Sequence, residues 1–384
     1  MKRIVIYFLV IKVILIATLI LAYFFVPHNH TYYVNDFIYP FNEKFSLASV
    51  FKTWDGQHYL FLVDKGYGSA GSSQAFYPLF PFLIKIVSYI IPNTIIAGYV
   101  LVTTLSIGFI IYFYKFVRNV WDKDIAYISS IIAMTFPTAF YLSRIYTESL
   151  FLFLTALFFY LLSDKKYFYA GLVTLLIPMT RPVGIFILVP YFIWLLQSKH
   201  KKFFTISIPS FVEKVSFKVR YQYMYLLMPV LGFVAYLFLM RILTGDPFRG
   251  FTAQNDFATG TRFENLFAPN IFITSFYDLA SLSFIPTGIM DRVFFVLFLI
   301  TLPFIYKVLG KVWFAYSVMF GSVVLLGAFS SFHRYVYVIF PMYIVFAVIL
   351  KNAKKEQLLM PICYVLLSFQ VVLHLLHGLN YWVF

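Results

Sequence analysis

The sequence is poor in charge and in cysteine. Charged residues make up 12% of its 384 positions, and Cys363 is the one cysteine. A single thiol excludes an intramolecular disulfide, a cysteine metal cluster and two-thiol redox chemistry. In its apolar surroundings Cys363 reads as a small buried or lipid-facing residue. No Gly-rich nucleotide loop, nucleophile elbow or HExxH pattern occurs, which argues against a nucleotide hydrolase or a zinc protease. Acidic residues are scarce as well, 15 against 30 lysines and arginines, for a net charge of +15. The basic residues lie mostly between apolar runs. The positive-inside rule therefore accounts for them better than a nucleic-acid partner does.

What fills the chain instead is hydrocarbon. Hydrophobic residues reach 62% and the mean hydropathy is +0.85, far above the roughly half-apolar composition of soluble domains. The expected fold class is all-α, a polytopic transmembrane helical bundle. The opening "MKRIVIYFLVIKVILIATLILAYFF" has a basic start and an apolar run long enough to span a bilayer. It exceeds the roughly 7–15 residues of a signal h-region, so it reads as a retained first span. Cutting at polar breaks gives about eleven spans, at 4–25, 95–117, 125–142, 149–163, 167–180, 183–197, 222–243, 289–309, 312–329, 335–350 and 358–378. Residues 1–384 are read as one integral membrane domain with external segments at 26–94 and 244–288. With the N-terminus in the cytoplasm, Lys115, Arg118, Lys123, Lys165, Lys166, the run Lys199 to Arg220, Lys307, Lys311, Lys351, Lys354 and Lys355 all fall inside. That agreement supports a multi-pass cell-membrane protein in this orientation.

The same topology sends the polar clusters "WDGQHY", "SRIYTES", "MTRPVG", "LTGDPFRGF" and "SSFHRYVY" to the outer ends of spans. Ionisable residues at the membrane are costly, and gathering them on one face marks a site. Asp55, between Trp54 and Gly56 and with His58 a turn on, suits a general base: a partly desolvated carboxylate beside an imidazole. It equally suits a helix N-cap before "GQHYLFLV". Arg181, flanked by Pro178, Pro182 and Gly184, belongs to a broken helix lining a cavity. Its planar fork suits a phosphate, and Arg334, next to His333, has a similar setting. Either arginine can instead snorkel to outer headgroups. Glu148 stands four residues after Arg144, the spacing of a simple helical pair. Asp246 in "TGDPF" carries turn chemistry. His28, His30, His58, His333, His374 and His377 form no recognisable metal signature.

Five stretches in order resemble the PIG-V family of mannosyltransferases, relatives of GPI mannosyltransferase 2 within the GT-C class of membrane glycosyltransferases. They are "WDGQHYLFLVDKGY" followed by "AFYPLFP", "FPTAFYLSRIYTESLF", "TRPVGIFILVPY", "LTGDPFRGFTAQNDF" and "FHRYVYVIFPMY", reaching from about residue 50 to 345. The resemblance implies a GT-C-type helical enzyme with an extracytoplasmic active site. Its donor would be a polyprenyl-phosphate-linked sugar, mannose or another hexose, transferred with inversion to a lipid or glycan acceptor. Asp55 takes the place of the family's acidic residue in the first external loop and would deprotonate the acceptor hydroxyl. Arg181 and Arg334 would hold the leaving phosphate. Tyr146 and Glu148 would line the same mouth, with Trp54, His58, Asp246 and His333 as further substrate-binding candidates. No cofactor or metal is called for, and a divalent cation is left open. A Lys-, Ile-, Phe- and Tyr-rich composition points to a prokaryotic chain, and so to a cell-surface acceptor other than a GPI anchor. A lipid-linked sugar transporter or flippase is the competing reading; transporters favour polar sites at the bilayer midplane between repeats.

Overall fold

The computed structural model describes residues 1–68, 70–198, 203–208, 215–257, 265, 267–277, 285–322, 331–381 and 383. Helices dominate. The N-terminal half runs α1 (Lys2–Phe25), α2 (His30–Asn35), α3 (Asp55–Lys65), α4 (Leu79–Ser88), α5 (Thr94–Val120), α6 (Lys123–Thr135), α7 (Glu148–Ser163), α8 (Tyr167–Leu176) and α9 (Leu188–Gln197). The C-terminal half runs α10 (Leu227–Thr244), α11 (Arg249–Thr252), α12 (Pro269–Tyr277), α13 (Ile285–Phe304), α14 (Lys311–Gly321), α15 (Phe332–Tyr337), α16 (Pro341–Asn352) and α17 (Leu359–Gly378). One antiparallel hairpin, β1 (Phe203–Ile208) with β2 (Val215–Arg220), joins the halves, Phe203 opposite Arg220.

Among the described residues, five helical stretches are long and apolar enough to cross a bilayer: Lys2–Phe25, Thr94–Val120, Tyr221–Thr244, Gly288–Leu309 and Glu356–Gly378. A sixth forms if α6 and the 3₁₀ segment Pro137–Ser143, bent by 80°, count as one. The remaining expected spans are shorter helices such as α7, α8, α9 and α16, below the roughly 20 residues a crossing needs. The eleven-span division therefore keeps its order of apolar segments, while only part of it meets the length of a full crossing. Residues 323–329 of the expected 312–329 span lie outside the described residues, as do parts of 199–214 and of the second external segment.

Helix ends follow local chemistry. Asn93 accepts from the Ile96 N–H at 3.1 Å to open α5, and Asp122 accepts from Asp124 and Ile125 to open α6, satisfying donors that a helix start leaves free. Gly245 closes α10 with φ +81°, a left-handed cap that a Cβ would penalise. Pro137, Pro178 and Pro182 interrupt the apolar runs, because proline lacks the amide hydrogen and clashes with the preceding turn.

Packing centres on α7 against α5, with α6, α14 and α16 alongside. The core is aromatic: Phe116, Phe159, Trp313 and Phe340 meet one another with centroids 4.8–6.2 Å apart. Large apolar side chains on α1, α10 and α17, such as Phe24, Phe238 and Phe369, point outward and are more than half exposed. That is the pattern of helices solvated by lipid rather than water. At one end Lys351 ties α16 to Asp122 and Asp124 at 2.9 and 3.1 Å. The polar clusters converge elsewhere.

Candidate active site

Asp55 and Arg334 arrive on short helices entered through left-handed residues. Trp54 precedes α3 with φ +57° and ψ −129°, and Ser331 precedes α15 with φ +62°. Each such residue costs on the order of 1–3 kcal/mol and persists where surrounding structure enforces it. Asp55 is thus the first residue of α3 and makes no capping hydrogen bond. The N-cap reading gives way to a tertiary contact: Arg334 Nη1 donates to Asp55 Oδ2 at 2.8 Å.

The contact continues inward. Arg334 Nε donates to Glu148 Oε1, and Arg181 Nη2 pairs with the same oxygen. Arg181 Nε donates to Thr147 Oγ1 at 2.8 Å. Asp55, Arg334, Glu148 and Arg181 therefore form one chain drawn from four separate segments. Side-chain exposure falls along it from 19% at Asp55 and 12% at Arg334 to 0% at Glu148. Two carboxylates offset two guanidiniums, which is what permits charge at this depth. The Arg334 guanidinium also lies over the Tyr146 and Tyr141 rings, at 4.7 and 5.4 Å, a cation–π bed that keeps it planar to its partners.

Among the described residues, Arg334 Nη2 and Arg181 Nη1 have no hydrogen-bond partner. Glu148 Oε2 is buried and likewise unpartnered. The site thus keeps spare donors and a spare acceptor beside its internal ion pairs.

Arg181 occupies the broken stretch that its prolines imply, extended between the 3₁₀ segments Ile177–Met179 and Pro182–Ile187. The Arg144–Glu148 helical pair does not form. Residues 144–147 fall between Pro137–Ser143 and the start of α7, so the i,i+4 spacing has no helix to act through. Arg144 is buried and donates instead to the Val50 and His374 carbonyls, each at 2.6 Å, tying the segment 26–94 to α17. Gly378 makes room for it: a Cβ there would come within 2.6 Å of Arg144 Nη2.

Other candidates go elsewhere. His58 is buried, stacked between Phe37 and Phe76 at 4.2 and 4.6 Å, with Nδ1 2.7 Å from Ser73 Oγ. Burial pushes it down to about 3, so it stays neutral within this aromatic stack. His333 turns away from its neighbour Arg334; its Nδ1 and N–H meet Asp291 Oδ1 and its Nε2 meets the Val383 carbonyl. Asp246 Oδ1 accepts from Phe248 N–H at 2.9 Å, an Asx turn, and among the described residues no hydrogen bond or ion pair joins it to the chain of charges. Its loop still reaches the segment 26–94, where Arg249 Nε donates to Gln74 Oε1 at 2.6 Å.

Sequence reasoning passed over Asp36 and Asp291, and weighed His377 only as a metal ligand. Asp291 stands beside Arg292 in an apolar run, a visible signal. His377 bridges Thr53 Oγ1 and Tyr146 Oη, both at 3.0 Å, which linear spacing cannot suggest. Among the described residues no group of three or more His, Cys, Asp or Glu side chains is placed to hold a metal ion.

Residues 73–217 match the family described as dolichyl-phosphate-mannose-protein mannosyltransferase. The match includes Tyr146, Glu148 and Arg181, and leaves Asp55 and Arg334 outside it. No curated protein matches the chain. Among solved structures the chain is similar to the oligosaccharyltransferase of Archaeoglobus fulgidus tethered with an acceptor peptide, at 13% identity and a TM-score of 0.41, covering 98% of this chain and 55% of that one. The chain thus spans about half the length of that protein. The family match covers less than half of the chain and shows a likeness to that mannosyltransferase family over those residues.

Proposed function

We propose that the protein is a membrane glycosyltransferase that moves a sugar from a polyprenyl-phosphate donor to a lipid or glycan acceptor on the extracytoplasmic face. The observation that carries this is the chain Asp55–Arg334–Glu148–Arg181, which sets a part-exposed carboxylate within one guanidinium of two spare N–H donors. Asp55 removes the proton from the acceptor hydroxyl as its oxygen attacks the anomeric carbon. The bond from that carbon to the phosphate oxygen breaks on the opposite side, inverting the centre. The leaving lipid phosphate gains charge as it departs, and Arg334 Nη2 and Arg181 Nη1 stabilise that growing charge more than the donor's. Tyr146 supports Arg334 from below.

The apolar helices suit a prenyl chain. A cavity of about 440 Å³ between α1 and α5, lined by Ile16, Phe51, Ile95 and Val100 among others, opens beside the segment leading into Asp55. The motifs shared with the PIG-V family favour a hexose such as mannose.

The test is transfer of radiolabelled sugar from polyprenyl-phosphate donors to membrane acceptors, comparing wild type with Asp55→Asn at equal insertion. Loss of transfer in the variant is expected. Equal transfer in both would remove Asp55 as the base. No transfer by wild type with any donor would favour a flippase for the same lipid.

A further inference from the structure

The stretch from Tyr32 to Tyr39 lies over the first turn of α3. The Tyr32 ring stands 6.2 Å from Trp54, Phe37 stacks on His58 at 4.2 Å, and the Tyr39 N–H donates to Gln57 Oε1 at 2.8 Å. Positions 54, 57 and 58 are thus each held by this stretch, and Asp55 stands among them. Asp36 sits in the middle of the stretch, at the end of α2, its own N–H bonded to the Tyr32 carbonyl at 3.1 Å.

Its side chain is unusual. Oδ2 is buried with no partner among the described residues, although the residue as a whole is part-exposed. A buried carboxylate oxygen without a donor is unfavourable when charged. Burial raises Asp36 to about 7, the Phe37 N–H opposes the rise, and the neighbouring Asp55 carboxylate adds to it. The charged and titratable groups around it are few. Asp55 on α3 is near enough for its charge to act on Asp36, and is itself paired with Arg334 of α15. His58 lies behind the Phe37 ring, and Lys52 is engaged by Glu43 and the Tyr39 carbonyl. Among the described residues no ion pair neutralises Asp36.

We infer that Asp36 takes the transferred proton on from Asp55, so that the two carboxylates act in series in the glycosyl transfer proposed above. The acceptor O–H bond breaks as its oxygen bonds to the anomeric carbon. The carbon–oxygen bond to the phosphate breaks with its electron pair staying on the lipid phosphate. The proton passes to Asp55, then through a water to Asp36 Oδ2, and from there to solvent at the part-exposed edge of the residue. Asp55 returns to its ion pair with Arg334. An unpaired, buried carboxylate poised near neutrality is a good place to hold a proton in passage. Asp36 is therefore a positioning residue for the proton, acting through Asp55.

The experiment combines kinetics and stability of the full-length chain in detergent. Wild-type transfer should rise with pH through about 7 as Asp36 ionises. Asp36→Asn should lower kcat roughly 10–100-fold with donor KM unchanged, and should lose that inflection, with partial recovery in Asp36→Glu. Stability supplies a readout independent of turnover. The folded chain holds the Asp36 proton between its ordinary value of 3.8 and about 7 while the unfolded chain does not. Its contribution is therefore fullest at low pH and is lost as pH rises through 7. Asp36→Asn should melt above wild type at pH 8.5, by more than at pH 5.5. Wild-type turnover with an unchanged pH profile in Asp36→Asn would overturn the relay while leaving the transferase reading intact. Equal melting at both pH values would overturn the buried, unpaired carboxylate on which the relay stands. Absence of wild-type transfer with any donor would overturn the transferase reading and the relay with it.

Discussion

Arg334 reaches across 279 positions of sequence to place Nη1 2.8 Å from Asp55 Oδ2, and with Nε it holds Glu148. One guanidinium thus joins a carboxylate at the open edge of the protein to one that solvent does not reach.

Replacing Arg334 by Lys keeps the charge and removes the fork. An ammonium cannot span Asp55 and Glu148 while leaving a further donor in plane for a phosphate. Donor KM should rise about tenfold or more and kcat should fall, since breaking a buried ion pair costs roughly 3–5 kcal/mol. Steady-state transfer kinetics over a range of donor concentrations measures this. An unchanged donor KM would take Arg334 out of the phosphate site.

Arg144 should behave as a structural residue. Arg144→Ala leaves the Val50 and His374 carbonyls without their donor, at a cost of about 1–3 kcal/mol for each buried group left unpaired. Gly378→Ala should destabilise by a related route, because the added methyl meets Leu19 and Arg144 and packed interiors yield little. Thermal unfolding should fall in both variants while the donor KM of the surviving folded enzyme stays near wild type. A raised donor KM with unchanged stability would move Arg144 into the substrate site.

His58 predicts an acid sensitivity. Its folded value is depressed to about 3 from an ordinary 6.5, so between those limits the unfolded chain binds a proton that the folded chain refuses. Stability from this group is therefore full above about 6.5 and declines as pH falls toward 3. His58→Gln should lose less stability than wild type between pH 7 and pH 4.5, measured by thermal melting. Parallel declines in the two proteins would mean that the imidazole is charged in the fold.

The orientation is testable with single cysteines. Cys363 is buried, which keeps background labelling low. Ser72→Cys should react with an impermeant maleimide on intact cells, and Ser198→Cys only after permeabilisation. The reverse pattern would place the Asp55 site on the cytoplasmic side and remove the lipid-linked donor.

Much of the helical architecture was legible along the chain. Apolar runs and helix-breaking prolines act within a few residues, so their consequences appear at the same positions in the fold. The division into full spans was less so. A run such as 149–163 announces burial, but whether it crosses, bends or stops short depends on neighbours, as the 80° break after Thr135 illustrates. The site divides in the same way. Asp55, Glu148, Arg181 and Arg334 stood out because charges in hydrocarbon are rare. Their partners did not: the spacing of Arg144 and Glu148 suggested a pair that the unwound residues 144–147 forbid, and Arg334 and His333, adjacent in sequence, face different carboxylates.

The sequence by itself determined that this is a helical membrane chain whose scarce ionisable groups gather at a few places, because the cost of burying charge and of leaving backbone groups unpaired in lipid acts residue by residue. Only the tertiary structure decided which charges meet. Ion pairs at Asp55 and Glu148, the hydrogen bonds of Asp291 to His333, and the unpaired oxygen of Asp36 depend on the approach of segments up to 279 residues apart, and that approach is set by the packing of the whole bundle, where no local periodicity carries it.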